Sequence, residues 1–177
     1  MRNVILAVLT LLYPLLIYRG MGHFEPKWLA LLLLAIALTR AVLSKEKVWL
    51  IAAAGAAVLA AISFFSNQAL PLKLYPVLVN AVLCLVFALT LVYPPSAIER
   101  LARLSEPDLP PSGVRYTRRV TQVWCGFFIF NGSAALMSAL WSDAAWAIYN
   151  GLIAYLLMGI LFLGEWLIRR RVKAAHG

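Results

Sequence analysis

The sequence predicts an all-α integral membrane protein, with five to six transmembrane helices and one amphipathic helix in a long polar loop. Two observations carry the class. The chain has 177 residues, of which 63% are hydrophobic and 13% charged, with a mean hydropathy of +0.85. A soluble domain of this size needs more polar surface than that to cover itself. The apolar residues also fall in runs of helix-spanning length, and the basic residues sit at their ends. The formal charge of +9 is therefore explained by orientation in a bilayer, and nucleic-acid binding is not needed to account for it.

The first apolar run, residues 4–18, follows Arg2 as a signal peptide would. It lacks a small-residue cleavage site, so it is expected to be retained. Its fifteen residues rise only about 22 Å as a helix, short for a hydrocarbon core of about 30 Å, and Pro14 could kink it. Spanning and interfacial placements both stay open, which is why the count is five to six.

The second run, 27–43, carries Arg40 near its end, where a long cation can snorkel. A polar turn at 44–47 leads to the third run, 48–65, whose centre is Ala52-Ala53-Ala54-Gly55-Ala56-Ala57. Small residues let helix backbones approach closely in lipid, either within the chain or across a homo-oligomer face. The fourth run, 74–92, tolerates Pro76 in its first turn. The fifth, 120–141, and sixth, 144–168, are joined by a short turn holding Asp143. All six tryptophans fall near predicted ends, as interfacial belts do. Tyr-Pro recurs at 13–14 and 75–76, the equivalent positions of a three-helix duplication. The whole chain reads as one polytopic domain.

With six spans, one side collects Arg2, Arg40, Lys45, Lys47, the five loop arginines at 100, 103, 115, 118 and 119, and Arg169, Arg170, Arg171 and Lys173. The other side holds Arg19, Lys27 and Lys73. The positive-inside rule then places the loop at about 94–119 and the C-terminal tail in the cytoplasm.

That loop carries the candidate chemistry. Ser96-Ala97-Ile98-Glu99 has the form of a capping box and predicts a short amphipathic helix. Residues 106–113 hold three prolines and a glycine and are expected to be extended or turning. Arg100, Arg103, Arg118 and Arg119 can bind a phosphate or carboxylate, with Glu106 and Asp108 holding a metal, acting as base or orienting the arginines. Equally, the acids can simply pair with the arginines, which then serve only topology. Asn80, Asn131 and Asn150 lie inside apolar runs, where an amide needs a partner; they are structural glue between helices or a polar path. Glu165 precedes Arg169 by one helical turn, a spacing that allows an ion pair. Cys84 and Cys125 show no metal or redox spacing. No nucleotide loop, zinc-protease or nucleophile-elbow motif occurs, so no cofactor, metal site or catalytic residue is indicated.

The C-terminal two thirds resemble the bacterial intracellular septation protein A family of small inner-membrane proteins. The matching features are Phe64-Phe65, Pro95, Leu109-Pro110, the motif Trp124-x-x-Phe127-Phe128-x-x-x-Gly132, Ala139 and Trp146-x-x-Tyr149. That family commonly has Asn where this chain has Ala135, and an aromatic-Lys pair in place of Tyr149-Asn150. The loop ERLARLSEPDLPP with YTRRVT is more similar to a sibling group found in aryl-polyene and fatty-acid-like biosynthetic clusters. The resemblance implies a bacterial inner-membrane protein acting in envelope maintenance or envelope-lipid production. A non-enzymatic accessory role, binding anionic lipid or envelope-synthesis proteins through the loop, is the leading expectation. A small lipid or metabolite transporter and an enzyme acting on a lipid headgroup are the alternatives.

Overall fold

A computed structural model describes residues 2–21, 23–44 and 47–174, with side chains over 12–21, 23–43 and 49–169. The side chains of Arg2, Lys45, Lys47, Arg170, Arg171 and Lys173, counted above for orientation, lie outside the described residues.

Apolar runs fold as helices because lipid offers no partner for backbone N–H and C=O groups. In order they are α1 (Arg2–Met21), α2 (Pro26–Ser44), α3 (Lys47–Ser66), a single turn α4 (Leu70–Lys73), α5 (Tyr75–Val92), the loop helix α6 (Ala97–Arg103), α7 (Pro111–Trp141), α8 (Asp143–Ile148), a π-helical turn (Tyr149–Ile153) and α9 (Ala154–Ala174). Among the described residues five stretches are long and apolar enough to cross a membrane: Pro26–Leu43, Trp49–Ser66, Leu70–Val92, Pro111–Trp141 and Asp143–Arg169. The protein is thus an all-α, multi-pass membrane protein. The C-terminal end of α2, the α6 loop and the C-terminal end of α9 fall at one end of the alternating helices. The α1–α2 turn, α4 and Ser142 fall at the other.

α1 continues through Pro14 as one 20-residue helix, about 30 Å long. Its Tyr13 and Ile17 are fully enclosed in the main core with Leu29, Leu33, Leu72, Tyr75 and Trp146. α4 is wedged into this core: the Tyr13 hydroxyl donates to Leu72 O at 2.8 Å and Trp146 Nε1 donates to Lys73 O at 2.9 Å. The two Tyr-Pro tyrosines meet there edge-on, ring centroids 5.0 Å apart.

The alanine stripe of α3 is consumed within the chain. Ala52, Ala53, Ala56 and Ala60 are buried, together with Ala30, Leu33, Ala37 and Ala41 of α2, and α2 against α3 is the most extensive helix pair. On another face, a side chain at Gly55 would run into Leu78 of α5, its Cβ 2.7 Å from Leu78 Cδ2.

Three features differ from expectation. α7 starts at Pro111, nine residues before the expected 120, because Pro110 is extended and proline fits a helical first turn. At 31 residues, or about 46 Å, α7 outruns the hydrocarbon and carries Arg115, Arg118 and Arg119 beyond it. The loop therefore shortens to 93–110. The sixth run is broken by the π turn. Finally, Trp124 and Trp146 are 5% and 0% exposed and belong to the interior, not to an interfacial belt; Trp28, Trp141 and Trp166 are outward-facing. Trp124 is near a helix end only for a helix starting at 120, and the start at Pro111 puts it well inside α7.

Candidate functional site

The loop is pinned to the bundle. Its helix α6 has too few residues to stand alone, and its first N–H groups are capped by threonines of spanning helices. Ala97 N–H donates to Thr90 Oγ1 of α5 at 2.9 Å, and Ile98 N–H donates to Thr121 Oγ1 of α7 at 3.2 Å. Thr90 and Thr121 are themselves buried. Of the expected capping box between Ser96 and Glu99, one of the two bonds forms. Its Glu99 arm is hydrogen-bonded, Oε2 accepting from Ser96 N–H at 3.4 Å, whereas Ser96 Oγ is buried outside hydrogen-bond geometry.

Glu99 is 5% exposed and is neutralised by Arg103, whose Nε and Nη2 both donate to Oε1, at 3.0 and 2.8 Å. Arg103 Nη1 also donates to Pro107 O at 2.8 Å, tying the proline segment to α6. Arg100 is exposed and reaches back to Pro95 O at 2.9 Å. Arg118 and Arg119 diverge. Arg118 donates to Leu91 O at 2.9 Å, closing the end of α5. Arg119 faces a groove between α7 and α9. Asp108 is exposed and Glu106 half-buried. The six loop residues thus make a docked helix with a basic outer surface rather than one convergent pocket.

The intramembrane asparagines form a ladder across three helices. Asn131 Nδ2 donates to Asn80 Oδ1 at 3.1 Å, and Asn131 Oδ1 accepts from the Tyr149 hydroxyl at 2.9 Å. Asn80 Nδ2 returns to Pro76 O at 2.8 Å. Asn150 Nδ2 donates to Trp146 O at 3.0 Å and to Ser138 Oγ at 3.3 Å. The neighbours Tyr149 and Asn150 both turn to α7, at the start of the π turn. Gly132 permits the close α5–α7 approach: a Cβ there would stand 3.1 Å from Asn80 Cβ. The amides are engaged with one another and with backbone carbonyls, as glue requires.

Trp124, Phe127 and Phe128 of the quoted motif build an aromatic cluster. Trp124 lies 5.7 Å from both Phe127 and Phe128, Phe128 is 5.2 Å from Phe87 of α5, and Trp124 is 4.6 Å from Phe162 of α9. Cys84 Sγ contacts Cys125 O at 3.8 Å in the same α5–α7 seam, acting as a small packing residue. Among the described residues no three His, Cys, Asp or Glu side chains come together.

At the opposite end, Lys73 Nζ donates to Ala139 O at 2.8 Å and to Asp143 Oδ1 at 2.9 Å. The Lys73 side chain is 10% exposed and that of Asp143 56%. In the sequence Lys73 and Asp143 stand out only as loop charges. Opposite charges in two short loops on the same side were the signal that could have paired them. Glu165 and Arg169 do not form the ion pair their spacing allowed; the ion pairs among the described residues are Lys27–Glu25, Lys73–Asp143 and Arg103–Glu99.

Comparison with protein-family models, curated proteins and solved structures finds no match to the chain.

Proposed function

We propose that this is a non-enzymatic accessory protein of the bacterial inner membrane, acting in envelope maintenance or envelope-lipid production of the aryl-polyene type. It engages anionic headgroups, and the partner proteins seated beside them, through the α6 face. One observation carries the reading. Glu99 is buried and spent on Arg103 and Ser96, so Arg100, Arg115 and Arg118 stand on the outer surface against the exposed carboxylate of Asp108. Such a surface beside a bilayer attracts anionic lipid, at about 1 kcal/mol per basic residue. The positive-inside bias of the sequence supports a cytoplasmic side for this face.

The test is amide exchange over residues 96–110 in nanodiscs of rising phosphatidylglycerol content. Exchange should slow as the anionic fraction rises, recover at high salt, and lose its lipid dependence in Arg100→Ala with Arg118→Ala. Exchange indifferent to lipid charge in the unmodified chain would sink the proposal.

A further inference from the structure

The groove between α7 and α9 joins an apolar floor to two opposite charges. It encloses about 560 Å³, within the range of roughly 300–1,000 Å³ typical of small-molecule sites. Its floor is apolar, from Val120, Val123, Ile160 and Leu161, and its two charged lining residues stand on opposite walls: Arg119 on α7 and Glu165 on α9. The groove exists because α9 packs only sparsely on α7 after the π turn. They touch where Trp124 meets Phe162 and where the Tyr116 hydroxyl donates to Glu165 O at 3.3 Å.

The two charges do not satisfy each other. No ion pair joins Arg119 to Glu165, and neither head group has a hydrogen-bond partner among the described residues. Arg119 is exposed and Glu165 half-buried, so both head groups are open to a ligand that carries the two opposite charges and can bridge them. Arg115 and Arg169 lie one turn further toward the aqueous side on the two helices and are not part of the lining. An anion alone would meet the Glu165 carboxylate, and a cation alone would meet Arg119. A ligand with both charges close together and a hydrocarbon tail satisfies all three features.

We propose that this groove binds a zwitterionic phospholipid bearing a primary ammonium. The phosphate sits on the Arg119 guanidinium, the ammonium on the Glu165 carboxylate, and one acyl chain lies along Val120, Val123, Ile160 and Leu161. The site is separate from the α6 face, which addresses lipid by net charge; here the arrangement of two opposite charges selects the headgroup.

Native mass spectrometry of the full chain, released from detergent with equimolar phosphatidylethanolamine and phosphatidylglycerol, tests this. The unmodified chain should carry phosphatidylethanolamine in roughly tenfold excess, a difference of about 1.4 kcal/mol. Glu165→Gln should remove or reverse that preference, and Arg119→Gln should weaken both adducts. Gly164 lines the groove, and a Cβ there meets nothing within 4 Å. Gly164→Leu should therefore fill the groove and abolish the adduct while thermal unfolding stays as in the unmodified chain. Equal adducts of the two lipids, a preference untouched by Glu165→Gln, or an adduct surviving in folded Gly164→Leu each overturns the proposal. None of these outcomes bears on the α6 face, whose test reads loop exchange with Arg119 intact.

Discussion

Replacing Asn131 by alanine removes the central rung of the intramembrane ladder. Asn131 is 4% exposed, so water does not replace what is lost. Its amide donates to Asn80 at 3.1 Å and its carbonyl accepts from Tyr149 at 2.9 Å. Side-chain hydrogen bonds between membrane helices average about 0.6 kcal/mol and reach about 1.7 kcal/mol. Two of them, with Asn80 Oδ1 left buried and unpaired, put the loss at roughly 1–3 kcal/mol. Tyr149→Phe removes one bond and should cost about 0.6 kcal/mol. Reversible unfolding in mixed micelles reads both, and the double mutant closes the cycle. The two effects should fail to add by at least about 0.5 kcal/mol, since they share a bond. Additivity within about 0.3 kcal/mol would refute the Asn131–Tyr149 contact, and with it the account of why α7 and the π turn stay together.

The alanine seam gives a steric counterpart. Ala56→Leu, at a fully buried position facing α2, should destabilise by about 1–3 kcal/mol in the same assay, while Ala54→Leu, exposed on the same helix, should be near neutral. The reverse order would return the seam to an oligomer face. At the far end, Lys73→Met loses bonds to Ala139 O and Asp143 and should cost about 1–3 kcal/mol. Asp143→Asn keeps the lysine bonded to a carbonyl and, at a half-exposed site, should cost no more than about 1 kcal/mol. Equal losses would show that the charge pair, not the burial of Lys73, matters. Cysteines placed at Asp108 and at Asn67 should be labelled by an impermeant reagent from opposite sides of the membrane, Asn67 from outside the cell; external labelling at Asp108 would invert the topology.

Local pattern was enough for the candidate site where the signal was local. Ser96 and Glu99 announce a helix start three residues apart, and α6 begins there. Asn80, Asn131 and Asn150 stand out because polar residues are scarce in apolar runs, and each is engaged. Thr90 and Thr121 were illegible: a threonine in an apolar run is ordinary, and only the arrival of α6 between α5 and α7 makes it a cap. Arg118 and Arg119 read as one cationic pair, yet successive helical residues point about 100° apart, so one turns to α5 and the other to α9.

The all-α membrane class and the succession of long apolar helices, five to six of them, were determined by the sequence alone, because hydrocarbon thickness acts on the chain locally. α7's true start was hidden by the prolines at 110 and 111, which signal a break and a helix start with equal force. The close fit of α3 on α2, the wedge of α4 under Tyr13 and Trp146, the Asn ladder and the open α7–α9 groove were decided only by tertiary structure. Within the membrane-spanning stretches almost every helix face is apolar, so hydrophobicity cannot say which faces meet. That choice falls to small residues, a handful of hydrogen bonds and the π turn, whose effects exist only once the helices are side by side.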